Sequence, residues 1–165
     1  MSQFSHFRVS FNFYQYIVYY RCNGACQVGG IISNNQDITN TVYTIILGTQ
    51  SASTVSGKLN FWHPVGTQNV QSSFTSPSNS WNSVCVTYDG TAARLYVNGG
   101  VTDTEFVGSF LSISSFPLVV GNDPVLGSFN GNIADVLVTE FALTAAEVSN
   151  YASGNFAALS AEGFF

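Results

Sequence analysis

Apolar and polar residues alternate with period two along most of this chain. Phe7, Val9, Phe11 and Phe13 alternate with His6, Arg8, Ser10 and Asn12, the pattern of a strand with one buried face. "VGGIIS" and "VYTIILG" read as two more strands. In "GKLNFW", Leu59 and Phe61 share one face, and Asn60 and Trp62 share the other. "VQSSF" is a weaker strand. In "WNSVCVTYDGTAARLYVNGG", Val84, Val86 and Tyr88 lie on one face, as do Ala93, Leu95 and Val97. Asp89-Gly90 supplies the turn between these two runs, because Asp and Gly tolerate the positive φ of hairpin loops. "TEFVG", "FPLVVG" and "GNIADVLVTE" bring the set to about ten strands, spaced as in a sandwich or barrel. The period changes only near the C-terminus. In "LTAAEVSNYASG", Thr144 and Glu147 have capping-box spacing. Val148, Tyr151 and Ala152 fall on one face, and Gly154 stands where a left-handed C-terminal residue belongs. This predicts a helix over 144–152 and none before residue 140, within one domain spanning 1–165.

Composition narrows the partners. Charged residues make up 8% of the chain, against about 25% in an average soluble protein. Four basic residues against nine acidic ones give a net charge of −5, with no Lys/Arg cluster for a phosphate backbone or an anionic membrane surface. Nucleic acid is therefore excluded as a partner. No apolar run approaches the ~20 residues of a membrane-spanning helix, so membrane insertion is not expected. The first residues read poorly as a signal peptide, since Arg8 interrupts the apolar stretch. A surface built on Ser, Thr, Asn and Gly suits an extracellular, cell-surface or virion-surface protein.

An ordered set of motifs then stands out. It runs Trp81, Tyr88-Asp89-Gly90, Leu95-Tyr96-Val97-Asn98-Gly99 and Leu118-Val119-Val120-Gly121. It continues through Phe129-Asn130-Gly131-Asn132-Ile133-Ala134-Asp135-Val136 and Leu143-Thr144-Ala145-Ala146-Glu147-Val148. In order and spacing this resembles the laminin-G-like, concanavalin A-like lectin/glucanase family of jelly-roll domains. From 7 to 74 the match is looser, carried by "FRVSFNFY" and "GGIIS". The resemblance implies a two-sheet antiparallel β-sandwich with one short C-terminal helix. It makes residues 81–100 a central hairpin, with Trp81 filling the core at the strand start. It also implies a strand before "FRVSFNFY". Only six residues precede Phe7, so the tail "NFAALSAEGFF" or a partner is expected to cover that edge, or the edge is open to strand addition.

Candidate chemistry is sparse. Some families with this fold are glycoside hydrolases, which need paired carboxylates across a cleft. The Glu-x-Asp-x-x-Glu motif of one such group is absent. Asp103-Thr104-Glu105 reads as a solvated edge, and Asp135 as a strand carboxylate bonded to loop backbone. His6 and His63 have no triad partners at a recognisable spacing. A non-catalytic, lectin-like module for a glycan or glycoprotein is the first reading. A structural subunit of a coat, filament or virion surface, contacting copies of itself or another coat subunit, is the second. The candidate ligand-binding residues are Trp62, His63, Asn122, Asp123 and Asn130. An oxygen-rich loop at Asn35 and Asp37 is the candidate site for Ca²⁺, with weak affinity expected from one carboxylate. Ordinary turn chemistry is the simpler explanation of the same Asn and Asp residues, which populate loops anyway.

Three cysteines are an odd count. "CNGAC" reads as a three-residue hairpin loop that sets Cys22 and Cys26 within bridging range in an oxidising compartment. Three free thiols are the alternative. Cys85 alternates into a core-like strand and is expected to remain a buried thiol.

Overall fold

The computed structural model describes residues 15–24, 26–34, 43–47, 58–62, 69–106, 118–124, 126–139 and 141–157. Two sheets face each other. The first has strand order β12-β1-β6-β7-β8: β12 is Gly131–Thr139, β1 Gln15–Cys22, β6 Trp81–Tyr88, β7 Ala92–Val97 and β8 Gly100–Phe106. The second runs β10-β11-β2-β3-β4-β5, with β9 also paired to β2. Here β2 is Gly29–Asn34, β3 Tyr43–Leu47, β4 Lys58–Trp62 and β5 Asn69–Thr75. The two-residue strands β9 (Val119–Val120), β10 (Asn122–Asp123) and β11 (Gly127–Ser128) complete it. All pairings are antiparallel except β11 with β2.

Strand β1 is the element that alternation does not reveal. The predicted strand at Phe7–Phe13 lies outside the described residues, and β1 follows it. It pairs with β12 on one side and β6 on the other. Tyr16, Val18, Tyr20 and Cys22 point into the core between the sheets, while Ile17 packs on the opposite face. A strand covered on both faces is written as an unbroken apolar run, here "YIVYY", and carries no period-two signature.

The inter-sheet core gathers Tyr16, Val18 and Tyr20 with Val84, Val86, Leu95, Ile31, Ile32, Leu59, Phe61 and Val70. A second cluster lies on the outer face of the first sheet. Helix α1 (Ala145–Ala152) brings Val148 and Tyr151, with Leu143 just before it, onto Ile17, Cys85 and Tyr96. Its capping box is closed: Glu147 N donates to the Thr144 hydroxyl, and Thr144 N donates to the Glu147 carboxylate. Gly154 adopts φ +74° just past the helix end. Cys85, buried under this helix, is a free thiol whose pKa burial pushes well above the ordinary value.

Two turns fix the central hairpins. Asn98 and Gly99 both have positive φ, +51° and +81°, as a two-residue type I′ turn requires. The Asn98 carboxamide accepts from Ser83 N at 2.9 Å and donates to Asn82 Oδ1 at 3.1 Å. At the other turn only Gly90 takes positive φ. Asp89 works through its side chain instead, accepting from Ala92 N at 2.9 Å and Thr91 N at 3.0 Å and pairing with Arg94. Those bonds, the Ala92 one first and then Arg94, hold the Asp89 carboxyl down at about 2. A carboxyl depressed on folding contributes stability above its unfolded value near 3.8, and that contribution disappears as pH falls through about 2. Asp89 is exposed, so screening keeps the contribution under about 1 kcal/mol. Asp89→Asn keeps the backbone acceptor and loses the charge. Its melting temperature should trail the parent slightly at pH 6, and the gap should narrow below pH 4 and close only as the pH falls past about 2. A gap that widens in acid would contradict this account.

Four sequence expectations change. Trp81 does not fill the core: it is 50% exposed. Its odd number puts it in phase with Ser83 and Cys85, on the outer face, beyond the reach of α1. Asp135 is not a carboxylate bonded within a regular strand. It sits exposed at φ +49° where β12 carries an extra residue against β1, so the bulge turns its side chain out. Its charge instead raises the Tyr19 and Tyr151 hydroxyl pKa values, after burial, which is the larger cause. Asp103 is more than a solvated edge. It accepts from Gln71 N at 3.2 Å and so ties β8 to β5, edge to edge across the two sheets. The "CNGAC" segment is no hairpin, because β1 and β2 belong to different sheets and the chain crosses between them there.

Candidate functional site

Among the described residues singled out from sequence, Trp62 stands apart from Asn122, Asp123 and Asn130. Asn35, Asp37 and His63 lie outside the described residues, as do Phe164 and Phe165 of the tail. Trp62 ends β4, where its backbone pairs with Thr44 and Asn69. From there to β11 is three strand spacings, about 14 Å across the sheet. Asp123 is 1% exposed; its carboxylate accepts from Leu126 N at 2.8 Å, and its backbone and Cβ pack against Gly30. Its carboxylate thus helps to form the loop between β10 and β11. Asn122 is also committed locally: Ser128 donates to its Oδ1 at 3.1 Å, and Ser33 donates to its carbonyl at 3.2 Å. Asn130 is exposed and its carboxamide makes no bond among the described residues. No group of three His, Cys, Asp or Glu side chains forms a metal cluster among the described residues.

Asn130 does belong to a shared surface. It lies at the end of the first sheet where β1 finishes, β6 begins and β12 begins. Asn23 N donates to the Asn130 carbonyl at 3.1 Å, and Asn79 N donates to the Cys22 carbonyl at 3.1 Å. Gly24 N donates to Asn79 Oδ1 at 3.1 Å, and Asn132 Nδ2 donates to Asn23 Oδ1 at 3.4 Å. Three remote chain segments thus meet through their backbones and carry four exposed asparagines. Asn79 supplies its turn at φ +59°, a conformation Asn adopts more readily than most residues. The Cys22–Cys26 disulfide, with both cysteines buried and 5.2 Å between Cα atoms, anchors the loop beneath. Below it the Tyr20 hydroxyl bonds Ser76 Oγ at 2.6 Å, and the Tyr20 ring meets Phe129 edge-on at 6.2 Å. Burial pushes the Tyr20 hydroxyl up to about 12 against the opposing Ser76 bond, so it stays protonated at any physiological pH.

Beside the asparagines stands Trp81. It is the cross-strand neighbour of Arg21, which in turn pairs with Asn132 on the other side. One row of the outer face therefore reads Asn132, Arg21, Trp81, over two strand spacings or about 10 Å. The Arg21 guanidinium lies over the indole, 5.7 Å from its centroid. Arrayed this way, the rim offers a flat apolar surface, a cation and several unused amide donors and acceptors. Such a surface suits a ligand with hydroxyl groups and one apolar face. It holds no nucleophile–base pair and no facing carboxylates among the described residues.

Sequence reading missed Arg21, Asn23, Asn79, Trp81 and Asn132 here. The signal for Trp81 was present: Val84, Val86 and Tyr88 are even-numbered and inward, so an odd-numbered Trp81 is outward. Nothing local marks Asn23 and Asn79 as neighbours, because they are brought together only by β1 pairing with β6.

A two-sheet antiparallel sandwich with a helix docked on one outer face defines a lectin-type jelly roll. The chain belongs to the concanavalin A-like lectin/glucanases superfamily: residues 21–149 match its Laminin_G_3 family. Among solved structures it is similar to a candidate carbohydrate binding protein from Bacteroides ovatus, with 20% identity and a TM-score of 0.71 over 88% of this chain and 43% of that one. The chain thus spans less than half the length of that protein. It is also similar to the IT-sialidase CBM40 of Ruminococcus gnavus bound to α2,3-sialyllactose, with 13% identity and a TM-score of 0.69 over 92% and 94% of the two chains. A third likeness is the heptameric SAP-like pentraxin of Limulus polyphemus, with 23% identity and a TM-score of 0.64 over 87% and 71%. At these identities the likeness is one of fold. No curated protein matches the chain in sequence. Among the described residues no helix is long and apolar enough to cross a membrane.

Proposed function

We propose that this domain is a non-catalytic, lectin-like module that binds glycans through the rim of its first sheet. The observation that carries this reading is the half-exposed Trp81 set in one row with Arg21 and Asn132 beside the linked asparagines 23, 79 and 130. An indole face packs on the C–H face of a sugar ring, and side-chain amides pair with its hydroxyls, a combination that gives orientation as well as affinity. The similarity to carbohydrate-binding structures supports the same reading, although fold alone does not assign function. The Cys22–Cys26 bridge supports an extracellular or surface setting, where disulfides persist.

A glycan array probed with the parent protein and with Trp81→Ala tests the proposal. Removing a central aromatic anchor should weaken binding about tenfold or more, as for hot-spot tryptophans. The melting temperature should change little, because Trp81 is not a core residue. Asn122→Ala is the comparison. If it abolishes binding while Trp81→Ala does not, the site lies at the β10–β11 loop and not at this rim.

A further inference from the structure

The chain has four basic residues, and three of them, Arg21, Lys58 and Arg94, lie within the described residues. Arg94 is neutralised by Asp89 at 2.5 Å. Arg21 has no ion pair and no side-chain hydrogen bond among the described residues. Its Nε is shielded from water and donates to nothing. Buried polar groups nearly always find a partner, and one that does not calls for an explanation. Only Nε is shielded in this way, so the two terminal nitrogens reach solvent. The charge is also held in place, because the guanidinium lies over Trp81 and its strand is paired on both sides. A partly desolvated, pre-positioned guanidinium without a counter-ion is primed for an anion, since little side-chain freedom remains to be lost on binding.

We infer that the rim recognises carboxylate-bearing sugars, with Arg21 gripping the carboxylate while Trp81 and the surrounding asparagines hold the ring. The inference rests on the glycan-binding reading and deepens it. A carboxylate presents two coplanar oxygens to the guanidinium fork, giving charge-assisted bonds that neutral hydroxyls do not match. The surroundings favour an anion of single charge. Asn23, Asn79, Asn130 and Asn132 are neutral, the whole chain is acidic, and among the described residues no second cation lies on the Asn132–Arg21–Trp81 row. Asp135, the exposed carboxylate of β12, forms no ion pair with Arg21, and Tyr19 donates to the Tyr151 carbonyl at 2.8 Å.

The test is an NMR titration of the ¹⁵N-labelled protein. The probes are methyl glycosides of glucuronic acid, galacturonic acid and N-acetylneuraminic acid, their carboxyl methyl esters, methyl galactoside and a sulfated methyl galactoside. At least one acid should shift the Trp81 indole resonance and bind at least about tenfold more tightly than its own ester, as expected for a hydrogen bond to a charged group. Arg21→Gln should erase that difference, and Arg21→Lys should keep part of it, both with melting temperatures near the parent's. The acid–ester comparison in the parent protein stands even if a variant folds poorly. Equal binding of acid and ester, an acid preference that survives Arg21→Gln, or binding of the sulfated probe alone would overturn the inference. Neutral sugars that shift Trp81 with no acid preference would remove the inference and leave the glycan-binding reading intact. If no sugar moves Trp81, both fall.

Discussion

Gly131→Ala should destabilise the fold by about 3 kcal/mol, the top of the usual range for overpacked sites. A Cβ at this position would run into the Arg21 carbonyl oxygen and stand 2.5 Å from the Phe129 ring. The first obstacle is backbone in the neighbouring strand, so no rotamer change relieves it. Gly131 faces Cys22 across the β1–β12 pairing, at the end of the sheet where the asparagine rim forms. The clash can be relieved only by peeling the start of β12 away from β1, which also displaces Asn132 from Arg21. Against a total stability of about 5–15 kcal/mol, such a loss leaves a marginal protein. Denaturant titration measures it, and sugar binding should fail in parallel. Gly90→Ala is the useful contrast. There φ is +92° but nothing lies within 4 Å of the added Cβ, so only conformational strain is incurred, about 1 kcal/mol. Equal losses at the two positions would show that crowding at Gly131 is not the cause.

Phe61→Ala should cost about 3–5 kcal/mol, the usual range for deleting a large buried aromatic side chain. Phe61 is 1% exposed and reaches from β4 into the core shared by both sheets, among Leu59, Val70 and the inward residues of β1, β6 and β7. The loss combines the transfer energy of the ring with the cavity left behind, because strands paired on both sides cannot close over it. Asn60, its neighbour, is also buried but on the opposite face. There it is satisfied by Gln71 Nε2 at 2.7 Å and by donating to the Lys58 carbonyl at 3.4 Å. Chemical denaturation should show a lower midpoint with an unchanged slope for Phe61→Ala. A loss below about 1 kcal/mol would mean that the sheets do not share one core at this point.

The two variants separate fold from site. Phe61 lies far from the rim in the pairing scheme, so the folded fraction of Phe61→Ala should retain sugar binding. Gly131→Ala acts on both. Trp81→Ala and Arg21→Gln, in contrast, should act on binding alone.

The sequence by itself determined every element whose pattern is set by one buried face or by local backbone chemistry. Short apolar runs marked β2 and β3, and period-two alternation marked β4, β6 and β7. The Thr144–Glu147 box and Gly154 bounded the helix, because capping bonds span only three or four residues. Asn98-Gly99 specified its hairpin by the left-handed φ it tolerates. The ordered motifs from Trp81 to Val148 were sufficient to indicate the sandwich. Tertiary structure decided the rest, for reasons of pairing. Strand β1 is covered on both faces, so its apolar run shows no alternation until its two neighbours are known. Asp123 reads as an open loop residue until the chain folds over it and buries it, and Asp135 as a regular strand residue until the bulge turns it out. The rim needed the most long-range information. Asn23, Asn79 and Asn130 come from three separate segments, and Trp81 becomes a surface group only because α1 stops short of it. Side-chain period and capping are local properties of a chain, whereas which strand ends meet, and what is left uncovered there, follow from strand order alone.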